Sequence, residues 1–561
     1  MSGILDQMSH NCTLPHEQRR LFIPVPRLAA LQQDNNPPDT FELSECRRVV
    51  KDGREDLRGL EREIEAARLH LQHLIDEKGV LQSQIDAHQQ ILSSPRRLHM
   101  DVLMVIFEAA CFGKKSYHSL DVRRAQWSIG QVCQQWRRII TRHMPSLWTD
   151  IKIHLSPEEP ARNYLLDRLL RRSADQELRV SLHLSQPFGV TVSPANMLTQ
   201  LFVTSDRWRH FHLDAWSVAL GAPLGWSIIA GNLPKLQTIT FSSHDEQQVQ
   251  TISFHRELVA AITSAPLLQT IEVQGSDHVA QSLFEATQSS GLHEKVQRYT
   301  WKYDTIENKK IKRHTCSTHP ATLLRLQSLV ECELDAVFHD SGPVDVVASI
   351  PTLQILTIHG KMRKSSRNYF MTARESGPER LLPRLNFPCL KKLVITGDLW
   401  DMRALDDFIT RSQCTLTTLS IPYIGCDNTC RVLAQTAHLK HFTLSSKNGP
   451  EPIFLERFRA DVDEARLCPL LSHLVLQFSQ PDVDRLVTSF AWEGLANVAR
   501  TRRNDLAFGA QHENQDKLKT LELSTVHCPS PLAGVLKSPE FHTLTERGLS
   551  LELSKYYLDT R

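Results

Sequence analysis

Residues 156–561 repeat one short apolar pattern, and this repetition limits the folds open to the chain more than any other feature. Each copy has an apolar residue, two other residues, a second apolar residue, one other residue and a third apolar residue. Because alternate residues of a β-strand point to the same side, the last two apolar side chains of a copy would share a buried face. We therefore predict one strand for each of the eleven copies. The copies are Trp208-Phe211-Leu213, Leu236-Ile239-Phe241, Leu268-Ile271-Val273, Val296-Tyr299-Trp301, Leu329-Cys332-Leu334, Leu353-Leu356-Ile358, Leu390-Leu393-Ile395, Leu416-Leu419-Ile421, Leu439-Phe442-Leu444, Leu471-Leu474-Leu476 and Leu518-Leu521-Leu523.

The segments around these copies predict helices and one more strand. YLLDRLLRRS at residues 164–173 has apolar residues at helical spacing, and LRVSLHL at residues 178–184 alternates as a strand does. Between copies lie amphipathic stretches such as RELVAAITS and VDVVASI, which are suited to helices. Strands that alternate with helices in this way predict the α/β class.

Taken together, the copies resemble a leucine-rich repeat. The resemblance implies that each copy supplies one strand of a parallel sheet on the concave face of a solenoid, with helices on the convex face. The copies begin 23 to 47 residues apart, whereas regular repeats run about 20–29 residues. We therefore expect residues 156–561 to form an irregular solenoid that binds a partner protein. The alternative is an unrelated α/β domain with several similar strands.

A coiled-coil helix is predicted over residues 51–93. Its apolar residues alternate spacings of three and four through five heptads, with charged and amide side chains on both flanks. A stripe this narrow needs a partner helix, because alone it would leave its leucines in water. The partner is either a second copy of the chain, paired through residues 57–92, or another part of the same chain. The seam positions are Leu57, Leu60, Ile64, Ala67, Leu71, Leu74, Lys78, Leu81, Ile85, His88 and Leu92.

Two short apolar helices are predicted within residues 94–155. Proline at position 95 ends the coiled-coil helix, because proline lacks a backbone donor and restricts the residue before it. VLMVIF at residues 102–107 carries one apolar stripe, and residues 129–140 carry a second. Pro145 ends the second helix, and the sequence IKIHL then predicts a strand.

This helical segment resembles an F-box, in the form with a preceding heptad helix that is common in basidiomycete fungi. In that family the motif docks a Skp-type adaptor, which tethers the protein to a cullin ubiquitin ligase. The matching residues are Arg96-Arg97-Leu98, Asp101, Leu103, Ile106-Phe107, Trp127, Val132-Cys133, Trp136-Arg137 and Pro145-Ser146-Leu147-Trp148. The resemblance implies that the adaptor contacts Leu98, Leu103, Ile106, Phe107, Val132 and Trp136.

The segment departs from the family at the start of its first helix. The leucine-proline pair of the family reads Leu98-His99 here, and Asp101 stands at the position of a glutamate. Proline would preset the first helical turn, whereas histidine keeps a backbone donor and loses that restraint. The alternative to adaptor docking is therefore a helical connector that packs internally.

Composition and charge exclude several function classes. A formal net charge of +2 argues against nucleic acid as the main partner, because phosphate binding needs a concentrated basic face. The sequence has no uninterrupted run of about 20 apolar residues, so we expect no membrane partner. Twelve cysteines without a regular framework and the lack of a signal-peptide pattern at the N-terminus predict a cytoplasmic or nuclear protein.

No pattern of catalytic residues stands out. The sequence lacks HExxH, GxSxG, a phosphate-binding Gly-Lys-Ser/Thr loop and a GxGxxG that opens a helix. The nearest candidate for a metal site is Cys426-x3-Cys430 followed by His438 and His441. Zinc needs four converging ligands, and His441 lies inside a predicted strand, so structural cysteines are the preferred interpretation. We predict no catalytic residue, no metal site and no cofactor.

Four regions are thus predicted: a mostly disordered lead-in at residues 1–50, a coiled-coil helix at 51–93, an F-box-like domain at 94–155 and a leucine-rich-repeat-like solenoid at 156–561. The resemblances imply a non-catalytic substrate receptor of a Skp–cullin–F-box ubiquitin ligase, with a client protein bound by the solenoid. The alternative is an interaction scaffold that dimerises through its coiled coil and recruits no ligase.

Overall fold

A computed structural model gives the fold of most of the chain. It describes residues 31–33, 37–92, 97–112, 118–155, 161–184, 195–215, 224–242, 254–275, 277–287, 291–302, 323, 325–336, 347–360, 378–397, 402–423, 425–446, 449–459, 467–478, 492–502, 518–525, 537, 539–546 and 549–555. The chain divides into two compact units, Met1–Leu103 and Met104–Arg561. Within the described residues, no helix combines the length and the apolar character that a membrane crossing requires.

The first unit contains one long helix, α1, at Thr40–Leu92. It begins eleven residues before the predicted start at residue 51, inside the stretch predicted as a disordered lead-in. The cause is a reciprocal cap: the carboxylate of Asp39 accepts a hydrogen bond from the amide of Glu42 at 2.7 Å, and the carboxylate of Glu42 accepts one from the amide of Asp39 at 3.0 Å. This capping box satisfies backbone donors that the first turn leaves open.

The apolar seam of α1 is exposed. Its leucine and isoleucine side chains are between 40% and 75% exposed, and every residue from Leu60 to Gln89 is exposed. The seam residues of α1 thus lie at the surface of the first unit. Coiled-coil pairing stays a prediction.

Short helices follow α1. Helix α2 at Met100–Phe112 carries the first predicted apolar stripe. Helices α3 at Ala125–Val132 and α4 at Gln134–Arg138 carry the second, with a break at Cys133 that the sequence did not predict. A π-helical turn at Ile139–His143 and a 3₁₀ turn at Pro145–Trp148 lead into the first strand.

The second unit is built on a fourteen-stranded parallel sheet, which confirms the predicted α/β class with a long parallel sheet. Its strands pair in chain order, apart from two short strands that form a separate pair. In the large sheet lie β1 (Asp150–Leu155), β2 (Leu178–Leu184), β3 (Trp208–Ala215), β4 (Thr238–Ser242), β5 (Thr270–Gln274), β6 (Arg298–Lys302), β7 (Glu331–Ala336), β9 (Ile355–Gly360), β11 (Lys392–Thr396), β12 (Thr418–Pro422), β13 (His441–Ser446), β14 (His473–Phe478), β15 (Thr520–Thr525) and β16 (Ser550–Lys555). The small pair is β8 (Ala348–Ser349) with β10 (Leu385–Asn386).

Each predicted apolar copy coincides with one strand of the large sheet, β3 to β7, β9 and β11 to β15. All three apolar side chains of every copy are at most 2% exposed. The predicted strands at IKIHL and LRVSLHL are β1 and β2. Strand β16 has no such copy in the sequence, because its apolar residues Leu549, Leu551 and Leu553 simply alternate.

A backbone contact repeats between the strands. One carbonyl accepts two hydrogen bonds in this contact, and it belongs to the residue that follows the first apolar residue of a copy. The donors are the amides of two successive residues in the next copy. The carbonyl of Gln237, for example, accepts from the amides of Gln269 and Thr270, both at 3.0 Å. The same double contact is made by the carbonyls of Gln269, Gln297, Val330, Gln354, Lys391, Thr417, Lys440 and Ser472. We call this series the carbonyl ladder.

Helices and turns connect the strands. RELVAAITS forms the predicted helix α7, but VDVVASI is not helical in its described part, because Ala348–Ser349 is strand β8, paired with β10. Its β-branched residues suit a strand as well as a helix. The helices are α5 (Ala161–Arg172), α6 (Ala195–Phe202), α7 (Arg256–Ser264), α8 (Asp277–Ala286), α9 (Leu292–Lys295), α10 (Pro378–Leu381), α11 (Met402–Ser412), α12 (Cys426–Ala434), α13 (Pro452–Arg459), α14 (Trp492–Thr501) and α15 (Pro539–Glu546).

The close approach of the ends of β9 and β11 leads to a testable prediction. Gly397 has a φ of +86°, and a Cβ atom there would lie 1.9 Å from the carbonyl oxygen of Gly360. Gly231 has a similar φ of +78° but open space around it. Gly231→Ala should therefore cost only the strain of a left-handed backbone, about 1–2 kcal/mol. Gly397→Ala should cost about 1–3 kcal/mol more than that, because backbone atoms would have to move.

Chemical denaturation of the two variants measures this difference. Equal losses of unfolding free energy in both variants would contradict the close approach of the two strand ends.

Candidate functional site

Helix α2 buries one side and exposes apolar residues on another. In the second unit, Phe107 is 1% exposed, whereas Val105 and Ile106 are 66% and 46% exposed. Neighbouring residues of a helix point in directions about 100° apart, so one helix can place Phe107 in the interior and Val105 and Ile106 at the surface. The last residue of α3, Val132, is 62% exposed. We call Val105, Ile106 and Val132 the exposed apolar set.

Phe107 holds α2 against α4. Its ring centroid lies 4.9 Å from that of Trp136, at an interplanar angle of 60°. The chain is extended at Cys133, and its sulfur accepts a hydrogen bond from the amide of Trp136 at 3.5 Å, which caps α4. Arg137 donates from Nε to the carbonyl of Gly130 at 2.8 Å and so satisfies an acceptor near the end of α3.

Two buried tryptophans form the interior next to these helices. Trp127 and Trp148 meet edge to face at 5.0 Å. The indole of Trp127 donates to the carbonyl of Ser119, and that of Trp148 donates to the carbonyl of Ile140. The guanidinium of Arg172, in α5, lies over both rings at 4.7 and 4.6 Å. Burial lowers the pKa of Arg172 from its usual value, and a guanidinium stacked on two indoles is favourable packing.

Ser119 fastens the helical segment to the edge of the sheet. Its amide donates to the carbonyl of Lys152 at 2.8 Å, and its hydroxyl accepts from the amide of Lys152 at 2.8 Å. The same hydroxyl donates to the carbonyl of Asp150 at 3.0 Å and accepts from Arg124 at 2.9 Å. These bonds occupy backbone groups of β1, the first strand of the sheet. Within the second unit, the helices and the sheet are thus joined by hydrogen bonds as well as by packing.

The predicted adaptor-facing residues occupy different environments. Ile106 and Val132 are exposed, Trp136 and Leu98 are half-buried, and Leu103 and Phe107 are each 1% exposed. Burial makes Leu103 and Phe107 interior residues, so a surface contact through them would require the helix to move. The sequence did not single out Val105, Ser119 or Arg172. Val105 lies outside the predicted stripe of Val102, Leu103, Ile106 and Phe107, and nothing in the pattern indicated which apolar residues of the helix would stay exposed.

His99 stands at the start of α2 without interrupting it. Its carbonyl accepts the first helical hydrogen bond, from the amide of Leu103 at 3.1 Å. Its ring nitrogen Nδ1 lies 3.5 Å from the amide of Asp101 and 3.2 Å from the carboxylate of Asp101. Histidine at position 99 therefore does not prevent the helix from starting at Met100, because its side chain supplies local contacts of its own.

The face of the sheet opposite the buried apolar rows is polar, and a row of histidines lies at its first edge. We call this the polar face. His154 of β1 stacks on His183 of β2 with ring centroids 4.3 Å apart, and His118 lies 5.4 Å from His154. On the other side, His212 of β3 lies 5.6 Å from His183. Nδ1 of His183 lies 2.7 Å from the carboxylate of Asp214.

Charged side chains farther along the polar face pair across neighbouring strands. The carboxylate of Glu333 lies 3.2 Å from Nζ of Lys302 and 3.0 Å from Nε2 of His359. The hydrogen bond from His359, together with the nearby Lys302, holds the pKa of the Glu333 carboxyl below its usual value. Arg298 and Glu331 form another such pair at 2.6 Å. Much of the charge on this face is therefore balanced within the chain.

The cysteine and histidine pattern near residue 430 does not gather into a metal site. The sulfurs of Cys426 and Cys430 lie 3.9 Å apart, while His441 stacks on His473 at 4.2 Å. Among the residues that the structure describes, no three His, Cys, Asp or Glu side chains converge as metal ligands. Burial raises the pKa of the Cys430 thiol to about 12 and that of the Cys468 thiol to about 11. Both thiols are protonated near neutral pH and are poor nucleophiles.

His118 makes the free energy of unfolding depend on pH. Burial, with Arg162 and His154 nearby, lowers the pKa of His118 from 6.5 to about 4, and its Nδ1 accepts from the amide of Leu120 at 3.1 Å. Below about pH 6.5 the unfolded chain binds a proton that the folded chain excludes, so stability falls as the pH drops towards 4. After allowance for solvent screening of the partly exposed ring, we expect His118 to account for about 1 kcal/mol lost between pH 7.5 and pH 5.

Urea unfolding of the His118→Gln variant at these two pH values tests this expectation. The variant should lose less stability on acidification than the unmodified chain. His143→Gln, at an exposed histidine of the same segment, corrects for loss of an imidazole elsewhere. If His118→Gln loses as much free energy of unfolding between the two pH values as the unmodified chain does, His118 is not the residue responsible for the pH dependence.

Comparison with known proteins adds no relative. No protein-family model matches the chain, and no curated protein is similar enough to count as a match.

Proposed function

We propose that the chain is a non-catalytic substrate receptor of a Skp–cullin–F-box ubiquitin ligase. In this proposal the helical segment is an F-box that docks a Skp-type adaptor, and the sheet region is an irregular leucine-rich-repeat solenoid that binds a client protein. The observation that carries the proposal is the exposed apolar set, which lies on a segment with a buried aromatic interior. Val105, Ile106 and Val132 are each more than 45% exposed, and a bound adaptor would cover them.

Ser119 and Arg172 support the proposal because of what a receptor must do. A receptor without catalytic groups acts by proximity, and proximity is effective only when the bound client is held in a limited range of positions. Ser119 bonds the helical segment to β1, and Arg172 packs α5 onto Trp127 and Trp148. An adaptor on the helices and a client on the sheet would then be held by one compact unit. Such a receptor would act in the cytoplasm or the nucleus.

The protonated thiols and the paired carboxylates of the polar face favour a binding function over an enzymatic one. A nucleophile needs a lowered pKa or an adjacent base, whereas burial raises the pKa of Cys414 to about 11 and that of Cys468 to about 11. Glu333 has a lowered pKa and is paired with Lys302 and His359. A carboxylate held in this way is a poor general base near neutral pH.

A second candidate function is an interaction scaffold that recruits no ligase. It is favoured by His99, which replaces the proline that the family has at the start of this helix. In this case the exposed apolar set would bind a different protein or none, and the chain would still present its sheet to a partner.

Binding of a purified Skp-type adaptor separates the two functions. Val132→Glu and Ile106→Glu each place a charge in the proposed contact and should weaken adaptor binding at least tenfold, or about 1.4 kcal/mol. Val203→Glu is the matched control: Val203 is 63% exposed, almost as exposed as Val132 at 62%, and lies outside the helical segment. It should leave binding unchanged.

Exposed positions are chosen because changes at Phe107 or Trp136 would disturb the packing of the segment itself. Titration calorimetry of each variant with the adaptor, with circular dichroism as the folding control, gives the comparison. If the unmodified chain does not bind the adaptor, the receptor proposal fails. If Val203→Glu weakens binding as much as Val132→Glu, the assigned surface is wrong.

A further inference from the structure

Helix α1 presents an apolar surface that is long enough to pair with another helix. The seam runs from Leu57 to Leu92, and at a rise of 1.5 Å per residue it is roughly 54 Å long. Leu71 and Leu74, near its middle, are 58% and 47% exposed. A helix of this kind gains most of its stability from burial of its apolar side. Within the first unit, the described residues leave this side exposed.

The two polar seam residues favour a second copy of this chain in parallel orientation and aligned register. In that arrangement Lys78 lies level with Lys78 of the second copy, and His88 with His88. The polar positions then fall at the same level and interrupt the apolar seam at only two places. In an antiparallel pair, Lys78 and His88 would each face apolar residues such as Ala67 and Leu57 of the other helix. Unpartnered polar groups inside a seam are costly.

Two of the five flanking pairs in this alignment join two charged residues, one favourable and one unfavourable, and a glutamate also lies beside the seam lysine. In a parallel pair, the residue just before the first seam position of a heptad flanks the seam. It approaches the residue of the other helix whose number is five higher. Glu63 then meets Arg68 of the second copy, and Glu77 lies beside Lys78 of the second copy. Asp56 opposite Glu61 is the one unfavourable flanking pair, and both residues are exposed near the end of the seam, where salt screens their repulsion.

The types of apolar residue also fit a two-stranded pair. Ile64 and Ile85 are β-branched and occupy the first seam position of their heptads, whereas Leu60, Leu74 and Leu81 occupy the second. β-Branched residues at first positions with leucine at second positions favour dimers. Leucine also occupies first positions at Leu57, Leu71 and Leu92, so the single lysine at a first position is the stronger restriction on the register and the number of strands.

From these observations we propose that α1 pairs with α1 of a second copy of this chain, as a parallel coiled coil in aligned register. Because both chains leave a parallel coil at the same end, the dimer carries two copies of the second unit at one end of the coil. A partner with two binding sites could then engage both copies, with a gain in affinity from the second, intramolecular contact. This proposal is independent of adaptor docking.

The molar mass of the full chain in solution tests the pairing. Light scattering coupled to size-exclusion chromatography should give twice the chain mass of 64.0 kDa. Leu71→Glu places a charge in the middle of the seam and should halve that mass. Leu69→Glu is the matched control, because Leu69 is 66% exposed on the same helix but lies away from the seam. It should leave the mass at two chains.

A single-chain mass for the unmodified protein, or equal masses for the Leu71→Glu and Leu69→Glu variants, would overturn the pairing. Circular dichroism of the Leu71→Glu variant serves as the folding control, and its binding of the Skp-type adaptor is measured separately. Loss of the dimer with binding retained separates this proposal from the receptor function.

Cross-linking tests the orientation. In the parallel pair, residue 60 of one chain faces residue 60 of the other, so Leu60→Cys should form an inter-chain disulfide under mild oxidation. In an antiparallel pair the two positions lie in opposite halves of the coil. Leu69→Cys and the unmodified chain measure the background of cross-linking through random collisions and through the native cysteines. A cross-linked fraction for Leu60→Cys at this background would overturn the parallel orientation.

Discussion

The carbonyl ladder is the interaction on which the sheet depends. In each junction from β4 to β15, one carbonyl accepts two amides of the next copy, as the carbonyl of Lys440 accepts from Ser472 and His473, both at 2.9 Å. The ladder brings the first apolar residue of every copy into register with its neighbour, although the connections between strands vary widely in length. Backbone atoms carry this contact, so the residue beside each apolar side chain can be glutamine, valine, lysine, threonine or serine. A sequence with spacings of 23 to 47 residues can therefore still build one continuous parallel sheet.

The edge of that sheet is where the helical segment becomes part of the second unit. A parallel sheet leaves unpaired amides and carbonyls on its first strand, and Ser119 occupies those of Lys152 and Asp150. Arg172 then covers the two indoles that form the interior of the segment. These contacts place the helices beside β1, while Val105, Ile106 and Val132 are among the apolar side chains of the segment that stay exposed.

The sequence predicted the repeated part of this structure and missed the contacts between distant residues. Periodicity predicted the core side chains of eleven strands, because an apolar triplet in a strand leaves little choice of buried face. It missed β16, whose apolar residues alternate without the initial one. The predicted start of α1 was residue 51, because the heptad pattern does not extend to Asp39 and Glu42, which cap the helix. Ser119 and Arg172 could not be predicted, since a serine in a polar loop and an arginine in an amphipathic helix gave no sign of their partners. Exposure within the apolar stripe of α2 depends on what packs against it, which periodicity does not reveal.

The paired charges of the polar face affect how a client could bind. Glu333 already interacts with Lys302 and His359, and His183 with Asp214. A client charge at these places would have to replace an existing partner, so the net gain from each ion pair would be small. Under the proposed receptor function, affinity for a client would then come from several modest contacts spread over many strands of the long sheet. Two copies of such a surface, held together by α1, would strengthen a weak contact without any change in the contact itself.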